Sequence, residues 1–222
     1  MGRAVRVDTP DGPGELVLDE AESPAAVLLL GHGAGGDVDT WDLDLLASRL
    51  PVRGVSVARF RQPYRVAGRR IFSSLPGLDR GWACALAEVR ATWPGLPLFA
   101  GGRSAGARAA CRGVDPDQRG LVLLAFPLHQ PGKPERIGAS ELIAVRLPVL
   151  VVQGGADTFG TTDEVRAAVG DKPGVRLVEL AGAGHSLGPT ARTPAAEVVA
   201  RERTLLAAVA GFLSEHLAED RS

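Results

Sequence analysis

Long hydrophobic runs, lysine, cysteine and net charge are all scarce in this chain of 222 residues. The longest apolar run that opens a buried segment, Ala25 to Leu30, is far too short to span a bilayer. Met1 to Ser23 is polar and lacks the apolar centre of a signal peptide, so the expected location is the cytoplasm, with no membrane partner. The formal net charge of −1 supplies no basic field, which argues against nucleic acid as a partner. Two cysteines, Cys84 and Cys111, form no close-spaced motif and read as small buried residues on helices, in keeping with a reducing compartment. No Cys/His cluster has metal-ligand spacing, which argues against a metal site, and no organic cofactor is expected either. There is no internal repeat and no low-complexity tract. Lysine occurs twice against 25 Lys plus Arg in all, and alanine is abundant, which reads as the codon bias of a GC-rich bacterial genome.

What the chain does have is a regular alternation. Arg3 to Val7 and Glu15 to Asp19 alternate apolar with polar residues around Asp11-Gly12-Pro13-Gly14, the pattern of an antiparallel hairpin. Ala26 to Leu30, Gly54 to Ala58, Leu96 to Ala100, Leu121 to Phe126 and Val149 to Gln153 are short, nearly continuous Val/Leu runs. Strands of that kind are covered on both faces. Helical segments near 40–50, 78–92, 104–113 and 161–170 separate them, and Val175 to Leu180 alternates like an edge strand. A closing helix near 194–217 carries Val198, Leu205, Leu206, Val209, Phe212 and Leu213 on one stripe, with Arg201, Glu202 and Arg203 expected in water. The expected fold is α/β, a mostly parallel sheet led by an antiparallel hairpin with helices on both faces, in one domain over 1–222. Roughly 59–77 and 127–139 read as irregular.

Functional groups of such a sheet gather at the carboxyl ends of its strands. Leu96 to Ala100 runs into Gly101-Gly102-Arg103-Ser104-Ala105-Gly106 and then an alanine-rich helix. Gly102-x-Ser104-x-Gly106 fits the nucleophile elbow, where a serine held at a strained backbone angle needs small residues two positions away on either side. A glycine-rich turn that merely contains serine is the alternative. After Leu30 comes Gly31-His32-Gly33-Ala34-Gly35-Gly36, a loop able to aim backbone N–H groups at an oxyanion. That assigns the backbone N–H groups of Ala34 (with Gly33 as the neighbouring option) and Ala105 to an oxyanion hole, while His32 braces the loop. A plain glycine turn or a phosphate loop competes, although neither Gly-x-Gly-x-x-Gly nor Gly-Lys-Ser follows. Asp157, in the loop after Gln153, stands where the acid of a triad belongs, an Asx-turn or helix cap being the other reading. His185 follows the last strand within Ala181-Gly182-Ala183-Gly184-His185. Ser104, Asp157, His185 is the chain order of nucleophile, acid and base on this architecture.

These residues resemble the α/β-hydrolase superfamily from about Val27 onward, and within it a small lidless group that includes dienelactone-hydrolase-like and testis-expressed-hydrolase-like proteins. Further markers are Pro63-Tyr64 with Gly68-Arg69-Arg70, Ala107-Arg108, Phe126-Pro127-Leu128-His129, Pro131-Gly132-Lys133-Pro134-Glu135 and Gly184-His185-Ser186-Leu187. Ala107 stands where that group usually has glycine, Gln62 where it has an aromatic residue, and Thr158 where it has proline. The resemblance implies a serine hydrolase that cleaves small acyl esters or thioesters through an acyl-enzyme. A catalytically idle scaffold is the alternative, since one member of the group serves an assembly role.

About twenty residues join Phe126 to Pro148, too few for a lid domain, so an open site for small-molecule esters is expected. The arginine-rich loop from Arg59 to Arg70 suggests that Arg69 or Arg70, with Tyr64, binds an anionic part of the substrate, the competing reading being arginines paired with acidic neighbours. His129 and Phe159 are expected pocket walls. The oligomeric state is not legible.

Overall fold

The structure, a computed structural model, describes residues 2–72, 74–135 and 138–218. Met1, Ser73, Arg136, Ile137 and 219–222, which the single-domain expectation includes, lie outside the described residues.

Among the described residues, eight strands form one sheet in the order β1-β2-β4-β3-β5-β6-β7-β8. They are β1 (Arg3–Val7), β2 (Gly14–Asp19), β3 (Ala26–Gly31), β4 (Val55–Arg61), β5 (Leu98–Arg103), β6 (Gln118–Leu124), β7 (Val149–Gly154) and β8 (Val175–Leu180). β1 pairs with β2, and β2 with β4, antiparallel; every other pairing is parallel. Among the described residues, seven α-helices connect or cover them: α1 (Trp41–Arg49), α2 (Pro63–Val66), α3 (Leu75–Thr92), α4 (Ala105–Arg112), α5 (Ser140–Ala144), α6 (Thr162–Val169) and α7 (Ala195–Ala218).

The period-two geometry of strands sorts their apolar residues onto two cores. Val27 and Leu29 of β3 join Trp82, Ala107, Leu142 and Val165 on the face covered by α3 to α6. Leu28 and Leu30 join Leu43, Leu46, Val209 and Phe212 on the face covered by α1 and α7. Burial on both faces explains why β3 and β7 read as unbroken apolar runs. β8 is the edge that its alternation implied. This is the α/β-hydrolase fold, and among the described residues α5 is the one helix between β6 and β7, with no lid domain there.

Two sequence expectations need correction. The stretch near 59–77 is not irregular throughout: β4 continues to Arg61, α2 follows, and α3 begins at Leu75, where the Ser74 hydroxyl accepts from the Gly77 N–H. The second stretch read as irregular holds no helix or named strand among its described residues, and α5 begins just past it. Arg201 is not on the wet side of α7; it is buried, its guanidinium donating to the Gly188 carbonyl at 3.3 Å and pairing with Glu197. Its long stem lets an arginine lie on an otherwise apolar stripe while its head finds acceptors.

Candidate active site

Ser104 sits between the end of β5 and the start of α4 with φ 54° and ψ −113°, a left-handed conformation that costs a non-glycine residue strain. Its backbone N–H donates to the Leu124 carbonyl at 2.9 Å, and its carbonyl accepts from the Arg108 N–H at 3.2 Å, so strand and helix together hold the turn. The flanking glycines are there for space. A Cβ at Gly102 or at Gly106 would lie 2.5 Å from the Gly31 carbonyl oxygen. The sharp turn therefore packs directly on the end of β3, where the Gly31–Gly36 loop leaves the sheet.

His185 and Asp157 arrive from the loops after β8 and β7. Ser104 Oγ lies 2.9 Å from His185 Nε2. His185 Nδ1 lies 3.0 Å from Asp157 Oδ1 and 2.9 Å from Oδ2. The Asp157 side chain is fully buried, and the imidazole is one-fifth exposed. The carboxylate also accepts from the Phe159 N–H at 2.8 Å and from Gln153 Nε2 at 3.1 Å. Gln153, itself fully buried, accepts the Phe126 N–H at 2.8 Å and donates to the Gly160 carbonyl at 2.6 Å. The structure thus brings together a hydroxyl, an imidazole and a carboxylate in line, with the carboxylate pinned from behind.

On the opposite side of Ser104, the loop from Gly31 is braced by His32, whose Nδ1–H donates to the Gly33 carbonyl at 2.7 Å and whose Nε2 accepts the Gln62 N–H at 3.1 Å. Burial pushes the His32 pKa down. The Tyr64 hydroxyl donates to the Ala34 carbonyl at 2.7 Å, and burial raises its pKa to about 12, so it stays a neutral donor.

A cavity of about 570 Å³ opens beside Ser104. Ala34 and Ala105, whose N–H groups were assigned to an oxyanion hole, line it, as do His129 and Phe159. Phe72, Leu75, Leu78, Pro127 and Leu128 supply the apolar part of the remaining wall. Tyr64 and Arg69 are placed elsewhere, on a smaller recess shared with Asp11 and Phe72, and Arg70 is exposed. The arginines that do face the cavity are Arg108 and Arg112 of α4. Both pair with Glu141, at 2.5 and 2.8 Å, and Arg112 also pairs with Asp79 at 2.7 Å.

Sequence reasoning missed Gln153, Arg108 and Arg112. A polar residue closing an otherwise apolar strand was the available signal for Gln153. Arg108 and Arg112 follow Ser104 at four-residue steps, and so share one face of α4 with it.

A family model described as an alpha/beta hydrolase domain matches residues 24–212. Among solved structures, the chain is similar to an alpha-beta serine hydrolase homologue from Coxiella burnetii (TM-score 0.75, 20% identity, covering 91% of this chain and 95% of that one). A serine hydrolase without lid from Xanthomonas campestris superposes with TM-score 0.70 at 22% identity, covering 95% and 94% of the two chains. Est1E from Butyrivibrio proteoclasticus gives TM-score 0.74 at 14% identity, covering 98% and 100%. At these identities the structural likeness speaks for the fold.

Proposed function

The chain belongs to the alpha/beta hydrolase family, and on that premise we propose that it is a serine hydrolase cleaving small acyl esters or thioesters through an acyl-enzyme. One observation carries the reading: Ser104 Oγ is 2.9 Å from His185 Nε2, while Nδ1 of the same ring is held by both oxygens of Asp157. In this reading His185 Nε2 accepts the hydroxyl proton as Ser104 Oγ attacks the acyl carbonyl, and then passes it to the departing alcohol or thiol. Asp157 keeps the proton of the neutral ring on Nδ1 and stabilises the imidazolium. The N–H groups of Ala34 and Ala105 receive the oxyanion, a role worth about 10²–10³ in rate per donor. Water repeats the sequence to release the acid.

The cavity supports small-molecule substrates, since about 570 Å³ lies within the usual range for such sites. Its apolar walls favour an acyl or aryl group over a charged one, and its two arginines are already matched by Glu141 and Asp79. Short-chain and aryl acyl esters are therefore the first substrates to assay. Est1E, the structural neighbour from Butyrivibrio, has been solved with ferulic acid bound, an aromatic acid of the same general kind.

Labelling with a fluorophosphonate probe tests the reading. Rapid modification at Ser104, abolished in Ser104→Ala, is the expected result, whereas an idle scaffold leaves the probe unreacted. A panel of matched neutral and carboxylate-bearing esters then reads the substrate class. Higher kcat/KM for the neutral members is expected, and a preference for the anionic ones would return attention to Arg69 and Arg70.

A further inference from the structure

Arg103, the residue before Ser104, joins two loops and the first turn of α1, which the chain brings together from distant positions. Its Nη2 donates to the His185 carbonyl at 2.7 Å. Its Nε lies 3.2 Å from Asp42 Oδ2, close enough for an ion pair although off-line for a hydrogen bond. A Cβ at Gly33 would come within 3.0 Å of Arg103 Nη1, so the guanidinium also lies against the Gly31–Gly36 loop. The Arg103 side chain is 12% exposed and that of Asp42 fully buried.

We propose that Arg103, anchored by Asp42, is a positioning residue that fixes the distance between the His185 imidazole and Ser104 Oγ. The inference rests on the serine-hydrolase reading above. The loop carrying His185 needs such a fixture. It is rich in glycine, Gly182 has φ 64°, and its backbone is tied to the neighbouring loop by the Ala156 N–H donating to the Ala183 carbonyl at 2.9 Å, two residues before the imidazole. Arg103 holds the backbone at His185 itself, where Asp157 holds only the ring. Because the guanidinium belongs to the residue beside the candidate nucleophile, this contact ties base and nucleophile through a single residue of chain.

The choice of side chain follows from its geometry. A guanidinium presents rigid donors in several directions, so one edge reaches the His185 carbonyl while Nε faces Asp42. An ammonium is a single point and cannot hold the same span. Asp42 gives the arginine its orientation and offsets a positive charge that would otherwise sit unopposed near the forming imidazolium. Burial pushes the Asp42 carboxyl up from its ordinary range, and Arg103 opposes that shift. Stability alone is a poor reason for such an arrangement, since buried ion pairs seldom outperform apolar residues of the same volume.

Arg103→Met, Arg103→Lys and Asp42→Asn test the role, with p-nitrophenyl acetate turnover, fluorophosphonate labelling rate and the downfield imidazole N–H proton resonance as readouts. Arg103→Met is expected to lower kcat by about 10- to 100-fold, the scale of a misplacement near 1 Å, while KM changes little. It is also expected to broaden or remove the downfield resonance. Arg103→Lys should recover part of the rate, and Asp42→Asn, which keeps an acceptor, should lose only a few-fold. A folded Arg103→Met protein with wild-type labelling rate and an intact resonance overturns the positioning role. So does a loss of melting temperature with kcat per folded molecule unchanged. If Arg103→Met does not fold, Arg103→Lys and Asp42→Asn decide by the same readouts. Absence of labelling in the wild type instead sinks the serine-hydrolase reading, and the positioning role with it.

Discussion

The ring of Phe159 lies over the imidazole of His185, with centroids 4.1 Å apart and planes 28° from parallel, while its backbone N–H donates to Asp157 Oδ1 at 2.8 Å. One residue therefore touches both the candidate base and the candidate acid, and it also walls the cavity. An aromatic face attracts a cation by about 0.5–2 kcal/mol depending on exposure, so it favours the imidazolium that forms during acyl transfer over the neutral ring. Phe159→Ala is expected to lower kcat on a small acetate ester by about 3- to 10-fold and to raise KM for aryl esters. Phe159→Leu should restore much of the KM and little of the kcat. Steady-state kinetics on paired acetate and benzoate esters check this, and an unchanged kcat in Phe159→Ala would remove the cation argument.

Gln153 is expected to matter for both folding and rate. Its amide oxygen accepts the Phe126 N–H at 2.8 Å, and its Nε2 donates to Asp157 Oδ2 at 3.1 Å in a fully buried setting. Gln153→Leu leaves the Phe126 N–H without a partner, at a cost of about 1–3 kcal/mol, and takes a donor from the carboxylate. A fall in melting temperature of roughly 2–12 °C should accompany it for a chain of this size. Gln153→Glu is expected to be worse, because it sets a second carboxylate against Asp157 in a dry site. Calorimetry with ester kinetics on the two variants distinguishes the effects.

The sheet was legible because its central strands are covered on both faces and so read as unbroken Val/Leu runs, and because the residues at each strand end are few. Ser104, Asp157 and His185 could be singled out for the same reason: each follows a strand closely, so its place at the sheet rim is set by local chain geometry. What escaped depends on contacts between segments far apart in sequence. Nothing local marks Arg103 as the partner of Asp42 and of the His185 carbonyl, 61 and 82 residues away along the chain. In the Arg59–Arg70 loop the sequence left two readings open, and pairing with acidic neighbours is the one that Arg59 and Arg61 follow. The loop's charges are visible in sequence, but Arg59 is spent on Asp19 and Asp44, and Arg61 on Asp37 and Glu15. Buried Arg201 was misplaced because helical periodicity assigns faces by residue type and cannot see a guanidinium reaching the Gly188 carbonyl.

The glycines around Ser104 should differ sharply in their tolerance of a methyl group. At Gly106 a Cβ would meet the Gly31 backbone, its oxygen at 2.5 Å and its carbon at 2.6 Å. Neither atom can yield without moving β3, so Gly106→Ala is expected to cost about 1–3 kcal/mol or more as overpacking and to widen the gap between α4 and the Gly31–Gly36 loop. At Gly35 nothing lies within 4 Å of the corresponding position. Gly35→Ala should stay within about 0.5 kcal/mol of the wild type. Urea denaturation of both variants, with labelling rates alongside, checks the contrast; equal stabilities would mean that the helix and β3 do not meet as closely as described.

His32 should make stability depend on pH below neutrality. The Gly33 carbonyl can only accept, so Nδ1 carries the proton; the Gln62 N–H can only donate, so Nε2 must keep its lone pair. The network therefore requires the neutral ring, and a second proton would set two N–H groups against each other. Burial is the largest influence, and it lowers the folded-state pKa below the ordinary value near 6.5. For a base so depressed, the unfolded chain takes up the proton first. The stabilising contribution is then complete above about pH 6.5 and is lost as pH falls through the folded-state value. The slope in that window has an upper bound of about 1.4 kcal/mol per pH unit for this one group. His32→Gln, which retains an acceptor near the Nε2 position and does not titrate, should be less stable at pH 8 and lose less on acidification. Urea unfolding of both proteins at intervals from pH 8 to pH 5 isolates the histidine, because every other titrating group is common to the pair. Parallel curves would mean that the imidazole is free to protonate in place, and the Gly31–Gly36 loop would then have to owe its shape to Tyr64 and Asp37.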